Sequence, residues 1–210
     1  MGSMFYKCDS LISLNLSNFN TSNLIYMSYM FCGCELLREL DISNFNTSKV
    51  INMKNLFSNC ISLKELNISN FQINNVENMS GIFENCESLE QLDLSNFKTN
   101  KLDNISYMFD GCKKLKKLNV SNMETKNIYR MEYAFRGCYS LTILDLSKFK
   151  FDNAVNLERM FYECKNLETL NISLCNAEKV ENTSYMFYNC ESLTSFDISN
   201  FNINNIGNIT

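Results

Sequence analysis

The chain is 210 residues long, has a formal net charge of −4, and contains 10 cysteines but neither histidine nor proline. The missing histidine removes imidazole bases, Ser-His-Asp triads and histidine metal ligands. Lys and Arg are interspersed with Asp and Glu, which argues against a nucleic-acid surface. No run approaches the roughly 18 apolar residues of a membrane-spanning helix.

The first element is a column. Cys8, Cys34, Cys60, Cys86, Cys112, Cys138, Cys164 and Cys190 are each 26 residues apart, and only Cys32 and Cys175 lie off this series. A fixed period in this range specifies a solenoid of stacked coils, here about eight, sharing one continuous core. One small sulfur per coil is the pattern of a buried hydrophobe, so the thiols are expected to be free and inward-facing. Cys32-Gly33-Cys34 supplies too few ligands for a metal site. The chain enters the repeat at Met4, after Met1-Gly2-Ser3, and stops within a repeat at Thr210. It is read as one solenoid over 1–210, a piece of a longer array, with open ends that favour end-to-end association.

Before each column cysteine, apolar residues follow an i, i+3, i+4, i+7 pattern: Met27, Met30, Phe31, Cys34; Met53, Leu56, Phe57, Cys60; Met79, Ile82, Phe83, Cys86. This spacing predicts a short helix with one inward face. Asn52, Asn78, Asn104, Asn156 and Asn182 stand where an N-cap is required. Gly33, Asn59, Asn85, Gly111, Gly137 and Asn189 stand where a left-handed C-cap is required. Glu163 breaks that series and predicts a differently built end.

After the cysteine the period becomes two. Leu40-Asp41-Ile42, Leu66-Asn67-Ile68, Leu92-Asp93-Leu94, Leu118-Asn119-Val120 and Leu144-Asp145-Leu146 predict short strands stacked into one parallel sheet. Phe5 to Phe187 and Phe19 to Phe201 form two aromatic columns at the same period, both assigned to the core. Cys175 replaces phenylalanine in the second column and predicts a packing defect in the seventh coil. The serines Ser17, Ser43, Ser69, Ser95, Ser121, Ser147, Ser173 and Ser199 predict hydroxyl bonds to the turn after each strand. Lys113, Lys114, Lys116 and Lys117 are read as a solvated coil edge.

The unit Leu-x-x-Leu-Asp-Ile-Ser-Asn-Phe-Asn-Thr-Ser-x-Val, followed by Asn-Met-x-x-Leu-Phe-x-Asn-Cys, resembles the BspA-like branch of leucine-rich repeats. That branch includes surface proteins of bacteria, among them mycoplasma lipoprotein-like chains, and of some protozoa. The resemblance covers Met4 to Thr210. It implies an α/β leucine-rich-repeat solenoid with short strands on one face and short helices opposite. It also implies display on a cell surface, as an adhesin or lipoprotein, although the chain shows no export signal or lipid-bearing cysteine.

The candidate ligand-binding residues are the outward strand positions Asn15, Asp41, Asn67, Asp93, Asn119, Asp145, Asn171 and Asp197, which alternate without exception. Carboxylates directly opposite on adjacent strands repel, and an intervening amide relieves this. Such a face is either a stabilised polar ladder or an acidic line that takes a basic partner. One Asp per two coils is too few for calcium, which needs six to eight oxygens. Tyr29, Tyr107, Tyr133 and Tyr185 form a second candidate row. Asn-x-Ser/Thr sequons follow from the repeat itself. With no phosphate-cradling loop and no cofactor motif, the expected activity is non-catalytic. The chain is read as a protein-binding module of a surface adhesin; the alternative is a stalk that projects another domain.

Overall fold

The computed structural model describes residues 2–98, 101–123, 125–172 and 176–197. Over these residues the chain is a solenoid whose successive coils lie in parallel register, 26 residues apart. Six three-residue strands are present among the described residues: β1 Ser13–Asn15, β2 Glu39–Asp41, β3 Gln91–Asp93, β4 Lys117–Asn119, β5 Ile143–Asp145 and β6 Thr169–Asn171. They pair as β1–β2, β3–β4 and β5–β6, so the expected single sheet is three two-stranded ladders. Leu66-Asn67-Ile68 keeps its place in the stack without forming a strand. The uninterrupted parallel ladder lies elsewhere, in single bridges from Tyr26 through Asn52, Asn78, Asn104, Arg130 and Asn156 to Asn182.

No helix is present among the described residues, and the predicted helices are replaced by a spiral of tight turns. The amide hydrogens explain this. Those of Met30, Cys32 and Cys34 donate three residues back, to Met27, Tyr29 and Phe31, at 3.1–3.2 Å. Those of Met27, Tyr29, Phe31 and Gly33 instead donate to Asn52, Lys54, Leu56 and Ser58 of the next coil at 2.8–3.0 Å. Half of the donors that a helix would use along its own axis therefore tie one coil to the next. Each spiral also contains two left-handed residues, such as Tyr29 (φ 58°) and Gly33 (φ 77°), and a right-handed helix accommodates neither. The inward spacing of Met27, Met30, Phe31 and Cys34 is the same in both conformations, and all four are buried.

Glu163 is not differently built: at φ 58° it adopts the conformation of Asn59 and Asn189 in its series. The asparagines expected as N-caps do bind an amide, but to open the spiral. Asn52 Oδ1 accepts the Lys54 amide at 2.9 Å, and Asn104 Oδ1 accepts the Ser106 amide at 2.9 Å.

The core is built from columns. Rings from Phe5 to Phe187 stack at centroid distances of 5.4–5.8 Å with interplanar angles of 2–19°. Leu37, Leu63, Leu89, Leu115, Leu141 and Leu167 are fully buried beside them. The cysteines among the described residues are free, and those from Cys34 to Cys164 are buried. Cys8 is exposed and Cys190 half-buried, against the expectation for the whole column, because each lies in a coil flanked on one side only by described chain. Cys175, Ser173, Ser199 and Phe201 lie outside the described residues, as does the predicted packing defect.

Candidate functional site

Along each strand the middle leucine points into the core, and the residues on either side point outward. In β2, Leu40 is 8% exposed while Glu39 and Asp41 face solvent. Stacking such strands produces a shallow open groove of about 1790 Å³ running along the strand face. Asp41, Asn67, Asp93 and Asn119 line it together with Glu39, Glu65, Lys117 and Ile143. Asn15, Asp145 and Asn171 occupy the equivalent position on β1, β5 and β6, and Asp197 is exposed outside any strand.

The acidic and amide side chains share one local task. Asp41 Oδ1 accepts the amide of Ser43 at 3.0 Å and its hydroxyl at 2.7 Å. Asn67 Oδ1 accepts the corresponding groups of Ser69 at 3.1 and 2.8 Å. Asn15, Asp93, Asn119 and Asp145 each accept the amide two residues on, at 2.8–3.2 Å. This side-chain turn ends the strand and turns the chain back toward the core. The predicted serine ladder is thus a set of donors to the residue two positions earlier. Hydrogen bonds from Ser43 hold the Asp41 carboxyl below its ordinary value. Ser95, and then the Asn119 side chain across the ladder, do the same for Asp93. Both are ionised at neutral pH.

An asparagine one residue after the serine stitches successive turns together, a role the sequence reading missed. Asn70 Nδ2 donates to the carbonyls of Ser43 and Phe45 one coil back, at 2.7 and 3.2 Å. Asn96 Nδ2 reaches Ser69 and Phe71 in the same way, at 2.9 and 3.1 Å. The repeated Ser-Asn-Phe triplet carried this signal. At the coil edge, Lys113 and Lys116 pair with Glu87 and Glu90 of the preceding coil at 2.8 and 3.1 Å.

The tyrosine row lies on the spiral. Tyr107 stacks on Tyr133 at 4.7 Å. The Arg159 guanidinium sits over Tyr185 at 4.8 Å and over Tyr133 at 5.6 Å. Arg136 lies over Tyr133 at 5.0 Å and grips the buried Asp110 with two bonds of 2.7 and 2.6 Å. Most of this row therefore packs along the coil ridge. Burial raises the Asp110 carboxyl above its ordinary value, and the Arg136 bonds oppose that.

Among the described residues no group of three or more Cys, Asp or Glu side chains is arranged to hold a metal ion. No helix in them is long and apolar enough to cross a membrane.

A family model described as a Mycoplasma protein of unknown function, DUF285, matches residues 1–118 and 104–210. Among solved structures, a leucine-rich repeat protein from Bacteroides ovatus is similar over 93% of this chain, with 17% identity and a TM-score of 0.38. This chain spans 63% of that protein. A leucine rich cell surface protein from Faecalibacterium prausnitzii is similar over 83% of this chain and 76% of its own, with 12% identity and a TM-score of 0.36. No curated protein matches the chain.

Proposed function

The chain belongs to the DUF285 family of mycoplasma proteins, and on that footing we propose that it is a non-catalytic binding module displayed at a cell surface, taking a protein ligand along its strand face. The observation that carries this reading is the open groove of about 1790 Å³. Its outward side chains lie outside the core, and Asp and Asn serve equally in the serine turn, so the charge of the face can change without loss of the turn. The apolar side chain of Ile143, 62% exposed, stands in the same groove as ionised Asp41 and Asp93. An apolar contact beside fixed charges is what a protein ligand uses for affinity and orientation together.

The test separates charge from fold. Asn67 makes the same serine turn as Asp41. Asp→Asn at positions 41, 93 and 145 therefore removes three charges and keeps each turn. Microspheres coated with the wild-type chain are expected to adhere to cultured cell monolayers, and those coated with the triple variant, or with Ile143→Glu, to lose adhesion about tenfold. Equal adhesion by all three would remove the strand face from the reading. Absence of adhesion by the wild type would favour a stalk that projects another domain.

A further inference from the structure

The left-handed series on the spiral runs Tyr29, Asn55, Gly81, Tyr107, Tyr133. Its aromatic rings are interrupted for two coils, at Asn55 and Gly81. The interruption opens a notch of about 440 Å³, bounded by Tyr29 on one side and Tyr107 on the other. That volume falls in the range of small-molecule sites, about 300–1,000 Å³. It shares no residue with the strand-face groove.

Four features point to a ligand. First, one face of Tyr107 is covered by Tyr133, nearly parallel at 7°. The other looks along the solenoid toward Gly81, which has no side chain to meet it. Second, the floor offers unused donors. Asn78 and Asn104 each engage Oδ1 with the serine two residues on. Their amide nitrogens donate to no group among the described residues, and Asn104 is only 7% exposed. Third, Lys54 lines the notch with its Nζ 6.0 Å from the Tyr29 ring and no carboxylate in ion-pair reach among the described residues. Fourth, Glu84 supplies an acceptor whose Oε2 is held by Asn55 and Ser58 at 3.0 and 3.1 Å. Arg130 at the far edge is already paired with Glu132.

We infer that this notch is a saccharide site for a single neutral pyranose unit. Aromatic walls suit the C–H faces of a sugar ring, whose weakly positive hydrogens meet the negative face of the tyrosine ring. Amide donors, an ammonium and a carboxylate suit hydroxyls, which both donate and accept. The charges of Lys54 and Glu84 cancel, as do those of Arg130 and Glu132, so the site favours no net charge on its ligand. Gly81 is the residue that keeps the notch empty. A Cβ placed there would lie 2.8 Å from the Asn55 amide nitrogen, and a longer side chain would fill the space.

The test uses the methyl glycosides of glucose, galactose, mannose and N-acetylglucosamine, followed by backbone amide shifts of Gly81 and Tyr107. At least one is expected to bind with a Kd near or below about 10 mM. Glycerol and N-acetylneuraminic acid are expected to bind at least about tenfold more weakly. Gly81→Asn places a residue that Asn55 shows is tolerated in this series, and it meets the side-chain end of Asn55, the amide that holds Glu84, so it both fills the notch and disturbs its acceptor. Tyr107→Leu keeps bulk and removes the aromatic face. Each is expected to weaken binding about tenfold or more while the protein still unfolds cooperatively; should Gly81→Asn unfold, Tyr107→Leu carries the test. A methyl glycoside that binds as well as its free sugar assigns the notch to a glycan end; a tenfold preference for the free sugar assigns it to a free saccharide. The inference is overturned if none of the four binds, if glycerol or the acid binds equally well, or if both variants bind like the wild type.

Discussion

The thiol of Cys60 donates to the carbonyl of Phe31, one coil earlier, at 3.2 Å, and the same carbonyl accepts the amide of Cys34 at 3.1 Å. The arrangement recurs from Cys34 to Cys190, at 3.1–3.3 Å. A thiol is a weak donor, but here it links two coils through a carbonyl that has a second lone pair to offer. Cys86→Ala removes the sulfur and the link together. The expected loss is about 1–3 kcal/mol, from one hydrogen bond plus a small cavity, read as a lower urea midpoint with an unchanged slope.

The same burial governs reactivity. Burial, and then the neighbouring Cys8, push the Cys34 thiol from 9.0 up to about 11, and burial pushes Cys190 to about 11. A raised thiol pKa means that the folded protein keeps its protons longer than the unfolded chain. Stability from these groups is complete below pH 9 and falls between about pH 9 and 11. Mass-spectrometric mapping after alkylation at pH 8 should find Cys8 modified and Cys60, Cys86, Cys112 and Cys138 unmodified. All four should react once the chain is unfolded.

Arg136 and Asp110 form an ion pair in which the carboxylate is 2% exposed. Arg136→Met leaves that carboxylate buried and uncompensated, at an expected cost of about 3–5 kcal/mol. Adding Asp110→Asn should recover much of the loss. Because burial already raises Asp110, the single variant should gain stability relative to wild type as the pH falls toward the carboxylate range, where the proton removes the charge. Urea unfolding of the three variants at pH 7 and pH 4.5 checks both statements.

Position within the array should scale the effect of losing an aromatic ring. Phe83 lies between Phe57 and Phe109, at 5.8 and 5.6 Å, whereas Phe5 has one stacked neighbour, Phe31. Phe83→Ala should cost about 3–5 kcal/mol. Phe5 is only half-buried, and its alanine variant should cost clearly less. Thermal unfolding of both distinguishes an array stabilised by neighbour contacts from one stabilised coil by coil.

The register, both aromatic columns and the inward leucines were legible because they repeat at one period and depend only on which way a side chain points. The conformation of the spiral was not. Met27, Met30, Phe31 and Cys34 would face inward from a helix as they do from consecutive turns, so burial spacing cannot separate the two. The evidence against a helix was present in Gly33, Asn59 and Gly81, residues at ease with positive φ, but Tyr29 and Tyr107 occupy the same conformation and disguise it. The strand-face residues were legible as an outward column. Their serine turns were half legible, since a carboxylate followed two residues later by serine reads equally as a ladder. The spiral notch was invisible, because it arises from two small residues interrupting a row whose three-dimensional neighbours are far apart in sequence.

The sharing of amide donors between a coil and its successor has a mechanical consequence. Tyr29, Phe31 and Gly33 donate to the next coil, along the solenoid axis. A load applied along the axis pulls directly on all the bonds of one interface at once, whereas a load applied at a free end and across the axis meets them one after another. The array should therefore resist extension as a unit and yield to peeling coil by coil. It can also lengthen or shorten only in whole cassettes of 26 residues, since any other insertion within a spiral would set every donor beyond it against the wrong carbonyl.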